Sequence, residues 1–135
     1  MTDSLSTYLA TEIVEYLANA TQFDTPPSTL YVSVEDDTDT DLSGSLSNAP
    51  VGVGSANWTI SGTTFENDTN INLGEATTDL TNVETVAIYD GSDIGGTANL
   101  LLETPLQGGP YDVSDGTNIT FETGDITYDA IEETV

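Results

Sequence analysis

Val83-Glu84-Thr85-Val86-Ala87-Ile88-Tyr89, followed by Asp90-Gly91, is the most strand-like run in the chain. β-branched and aromatic side chains fit a pleated, half-buried surface, and Asp-Gly supplies turn chemistry at its end. The run is expected to be a central strand. Working outward, Leu30-Tyr31-Val32-Ser33-Val34 alternates and points Leu30, Val32 and Val34 one way. Trp58-Thr59-Ile60 leads through a turn at Ser61-Gly62 to a short strand ending at Phe65, and Ile71 to Leu73 pairs at an edge. Leu100 to Leu102 opens another strand that stops near Pro105. Ile119-Thr120-Phe121 and Ile126-Thr127-Tyr128 flank Glu122-Thr123-Gly124-Asp125 as an expected closing hairpin. Short strands at this spacing indicate an all-β fold, an antiparallel β-sandwich over about residues 28–130.

The first twenty residues follow a different period. Leu5, Tyr8, Leu9, Ile13, Tyr16, Leu17 and Ala20 recur at three- and four-residue steps, which places them on one face of a helix. Asp3 or Ser4 is positioned to cap it, and Pro26-Pro27 stops any continuation. One N-terminal amphipathic α-helix over about residues 4–20 is expected, with Tyr8, Leu9, Ile13, Tyr16 and Leu17 as candidates for an oligomer or docking contact. At 135 residues, one domain spanning 1–135 accounts for the whole length.

Charge narrows the setting. The chain has no Lys, Arg or His and 24 Asp plus Glu, a formal net charge of −24. A domain of average composition would carry roughly fifteen basic side chains at this length. Such a surface repels itself in dilute buffer, whereas the screening length falls from about 10 Å at 0.1 M salt to about 3 Å at 1 M. Synthesis in the cytoplasm of a halophilic archaeal host is therefore expected. A solvating acidic tail is excluded by the 36% hydrophobic content, with 6 Tyr, 3 Phe and a Trp. Nucleic acid and anionic membrane are both excluded as partners for so negative a surface. The longest wholly apolar run is Leu100 to Leu102, so no membrane span is expected, and the N-terminus lacks the basic and apolar regions of an export signal.

The missing residue types also remove most catalysis. Without His, Cys, Lys or Arg there is no imidazole base, thiolate, Schiff-base amine or cationic clamp. Paired carboxylates about 5 to 9 Å apart can cleave a glycosidic bond, but nothing in the sequence singles out two of the 24. No enzyme is expected. The densest acidic stretch, Glu35 to Asp41, lies in a long segment (35–55) without apolar pattern, expected as one long functional or mobile loop. Asp37, Asp39 and Asp41 alternate there as oxygen ligands do in calcium loops, so a divalent cation, Ca2+ or Mg2+, is the one candidate cofactor. Leu42 stands where the turn glycine of such a loop belongs and Asn48 where its bidentate Glu belongs, and a solvated acidic loop accounts for the same residues. Sequons begin at Asn19, Asn57, Asn67 and Asn118, in a chain whose Asn and Thr content produces several by chance.

Several segments carry a resemblance: Leu5-Ser6-Thr7-Tyr8-Leu9 and the helix, then Thr25-Pro26-Pro27-Ser28-Thr29-Leu30-Tyr31-Val32; Glu75-Ala76-Thr77 before Val83 to Asp90; Gly95-Gly96 leading to Asn99-Leu100-Leu101; and Asp115-Gly116-Thr117 to Gly124-Asp125-Ile126. In this order they resemble the small virion structural proteins of tailed viruses, a tail-fibre-like or minor structural family. The chain departs from that pattern at Val51-Gly52-Val53-Gly54, which lacks the family's usual Arg. The resemblance implies a virion location, a symmetric homo-oligomer, and major capsid or tail proteins as partners. Capsid turret or decoration is the first expectation, a tail fibre or baseplate component the second, and a cellular surface or adhesion module the third. A receptor-binding fibre usually needs a shaft and tip that this length scarcely holds.

Overall fold

The computed structural model describes residues 3–130. The expected central run extends to β7 (Leu80–Tyr89), flanked on its two sides by β2 (Thr29–Asp36) and β8 (Leu100–Pro105). β3 (Val51–Gly54) extends the sheet beyond β2, and the short β1 (Ser4–Leu5) extends it beyond β8. β9 (Tyr111–Val113) pairs with the first part of β7, and every pairing is antiparallel. A three-stranded sheet joins β4 (Trp58–Ser61), β5 (Thr64–Asn67) and β11 (Thr127–Asp129), and a two-stranded one joins β6 (Ile71–Glu75) and β10 (Asn118–Phe121).

Register explains why these sheets pack. Val32, Ile88 and Leu102 stand opposite one another across β2, β7 and β8, as do Val34, Val86 and Thr104, so one face of the large sheet is almost wholly apolar. That face belongs to one hydrophobic cluster with Ile71, Leu73, Phe121, Ile126 and Tyr128 from the smaller sheets. The fold is thus antiparallel β with a single α-helix, as its alternation indicates.

Three expectations are corrected. The helix α1 occupies Thr7–Asn19, and its cap is Ser6, whose Oγ accepts the Leu9 N–H at 3.1 Å. Asp3 is drawn away by other donors: its carboxylate accepts the Thr104 hydroxyl at 2.5 Å and the Asp129 N–H at 2.8 Å. Secondly, Ile119–Phe121 and Ile126–Tyr128 do not form a hairpin, because β10 pairs with β6 and β11 with β5. Asn67 separates them. Its Nδ2 donates to the Glu122 and Thr69 carbonyls, and its Oδ1 accepts the Ile126 N–H, so a buried side chain occupies the positions a hairpin ladder would use. Thirdly, much of 35–55 is ordered by backbone pairing. Glu35 bridges Asp41, the buried Leu46 bridges Ala76, and β3 completes the segment.

Candidate functional site

Beyond Asp36 the chain folds back on β2 in a turn built by one carboxylate. Asp36 Oδ1 accepts the Thr38 N–H at 2.9 Å, the Thr38 hydroxyl at 2.7 Å and the Thr40 N–H at 3.0 Å. These bonds, the Thr38 hydroxyl first, hold its carboxyl below the usual carboxylate range. The turn places Asp39 in the left-handed region, with φ 60°, a conformation that Asp tolerates better than most residues. The alternating aspartates are thereby separated. Asp37 is exposed on the turn, and Asp41 is engaged with Ser33 Oγ at 3.2 Å, Ser43 Oγ at 2.6 Å and Ser43 N at 3.2 Å.

Asp39 joins a different set. One oxygen from each of Glu35, Asp39 and Glu103 lies within 4.8 Å of the others. Glu35 comes from β2 and Glu103 from β8, the two neighbours of β7, and the small Ala87 stands directly opposite Glu103 in register. Glu35 is only 4% exposed and is hydrogen-bonded to Glu103. Burial, then that bond, then the charges of Glu103, Asp39 and Asp41 push its carboxyl up to about 9. Tyr89 is raised too, by burial first and then by Glu35, Asp41 and Glu103. This face can hold a shared proton or a cation.

The sequence left Glu35 and Glu103 unmarked. Glu35 reads as the first member of an acidic run, although it continues the strand alternation on the face opposite Val32 and Val34; Glu103 is a lone acid directly after three leucines. An acid inside a strand was the available signal.

The helix candidates divide into two groups. Tyr8 and Leu9 pack against the core, and the Tyr8 hydroxyl donates to Asp24 Oδ2 at 2.7 Å, which raises Tyr8 to about 12. Ile13 is half-buried. Tyr16 and Leu17 are 53% and 74% exposed, with Val14 beside them at 61%, and Tyr16 stacks on the exposed Phe23 at 4.9 Å. α1 packs on β8 through its first half, so its second half presents apolar side chains to solvent. Val14 and Phe23 were not anticipated: Val14 lies one turn from Leu17 on the helix, and Phe23 meets Tyr16 only because the chain turns back after α1.

Two clefts open on the surface of the described residues. One of about 580 Å³ lies between β9 and β10, lined by Val83, Leu106, Tyr111, Val113, Ile119 and Phe121 among others. The second, about 420 Å³, lies under α1 against Pro26, Pro27 and Leu101. Among the described residues no helix is long and apolar enough to cross a membrane.

Among curated proteins, none matches the chain. Residues 4–129, from β1 to the end of β11, match the model of a protein family described as Podophage GP4 fiber I protein gp80. With nearly its whole length matched, the chain belongs to this family of tailed-virus fibre proteins and is a structural component of the virion.

Proposed function

We propose that the chain is a tail-fibre subunit of a tailed virus of a halophilic archaeal host, acting as one domain and assembling as a symmetric homo-oligomer through α1. The observation that carries the fibre assignment is the family match across residues 4–129. It favours the tail over a capsid turret or decoration, for which small size is the main argument, and over a cellular adhesion module. The halophilic host rests on the net charge of −24 without a single basic side chain.

The assembly reading rests on the exposed strip Val14, Tyr16, Leu17 and Phe23. Subunits of this composition cannot be joined by side-chain salt bridges, so contact depends on apolar packing and hydrogen bonds. Molar salt strengthens the former and screens the repulsion that opposes it. The partners are further copies of the chain and neighbouring tail proteins. Gold-labelled antibody against the chain, applied to intact particles, is expected to mark the tail in electron micrographs; label over the capsid shell would overturn the fibre assignment in favour of the turret.

A further inference from the structure

We propose that Glu35, Asp39 and Glu103 form a binding site for one divalent cation, calcium in preference to magnesium. It differs from the set read in the sequence, because only Asp39 is common to both. Two independent observations converge on it. The first is geometric: three carboxylate oxygens, from β2, the turn after it and β8, approach within 4.8 Å of one another. The second is an orphaned atom. Glu35 Oε1 is sealed from solvent and has no hydrogen-bond partner among the described residues, although its residue is almost fully buried. A buried oxygen without a donor is costly, so structures normally supply one or a metal ion.

This chain has no side-chain cation to offer. With no Lys, Arg or His, three converging carboxylates can be neutralised only by protons or by a metal ion. The irregular donor set favours calcium. Calcium takes about six to eight oxygens in flexible geometry, whereas magnesium demands a near-ideal octahedron and sheds its water reluctantly. A buried strand residue combined with an exposed turn residue makes an irregular half-shell, which calcium tolerates. Water completes the shell on the open side, where Asp39 is exposed and Glu103 half-exposed. The bound ion would clamp the Asp36–Asp41 turn to β8 and pair the orphaned oxygen.

The test uses the full chain, stripped with chelator and held in about 2 M NaCl so that diffuse binding to the acidic surface is screened. Calorimetric titration with CaCl2 is expected to show one saturable site and a matching rise in melting temperature. Glu35→Gln and Asp39→Asn should each weaken it by about tenfold or more, whereas Asp37→Asn should leave it unchanged. Asp39→Asn decides the matter should Glu35→Gln fail to fold, because Asp39 is exposed and Asn also adopts its left-handed backbone. Absence of saturable uptake, or parent affinity in Asp39→Asn, overturns the site. Magnesium binding as tightly as calcium overturns the choice of ion.

Discussion

Asn67 shows how a single polar side chain replaces a ladder. Fully buried, it satisfies two carbonyls and one N–H from segments more than fifty residues away or next to it in sequence. Asn67→Ala strands all three and should cost about 2–4 kcal/mol, read as a fall in melting temperature of about 10 °C. The same burial removes Asn67 from the glycosylation acceptors, since both Nδ2 hydrogens are engaged. Gly74 is constrained differently: φ is +84°, and an added Cβ would lie 2.2 Å from Ser47 Oγ and 2.8 Å from the Asn48 backbone nitrogen. Gly74→Ala should therefore destabilise by more than about 2 kcal/mol in denaturant unfolding, whereas Gly62→Ala, at φ +62° with open space around it, should cost about 1 kcal/mol. Glu35 supplies a pH signature in metal-free solution. Its folded-state value of about 9 exceeds the ordinary 4.5, so the folded chain keeps a proton that the unfolded chain releases. Stability from this group is full below about pH 4.5 and falls as pH rises toward 9. Thermal melts of Glu35→Gln should be flatter across that window. None of these three roles was legible in the sequence, where Asn67 reads as a sequon, Gly74 carries no signal of its own and Glu35 reads as part of an acidic run.

Elements were more legible than the contacts between them. Period alone located α1, alternation located β2 and β4, and β-branched or wholly apolar runs located β7 and β8, because those signals are local. Which half of α1 meets the sheet is decided by β8, and no helical period encodes that. The division gives opposed outcomes. Leu9→Ala removes a side chain packed on the core and should destabilise the subunit by about 1–3 kcal/mol. Leu17→Asp changes an exposed position and should leave circular dichroism and melting intact while abolishing self-association measured by light scattering in high salt. The Glu122–Asp125 turn was read correctly as a turn and incorrectly as a hairpin. Turn chemistry fixes a reversal of the chain, but the partners of the emerging strands depend on β5 and β6, far away in sequence. Likewise β3 and β9 alternate over too few residues to stand out, so only pairing with β2 and β7 defines them.

At the scale of the whole molecule, carboxylates perform the work that ion pairs perform elsewhere. Asp3 ties the N-terminal segment to β8 and β11, Asp90 closes the β7–β8 connection through Asn99 N and Nδ2, and Asp93 holds Thr97 within it. Their partners are backbone N–H groups, hydroxyls and amides, which need no positive charge. Repulsion across the remaining surface is left to the solvent. Melting temperature should rise steeply between about 0.1 and 2 M NaCl, and a flat profile would remove the halophilic reading. The central claim, a fibre subunit joined through α1, is tested most directly by a cryo-EM map of the intact virion tail. The account expects repeated copies of this β fold within the fibre, with Val14, Tyr16 and Leu17 buried at the boundary between neighbouring copies. Copies found on the capsid surface, or in the fibre with that helix face open to solvent, would contradict it.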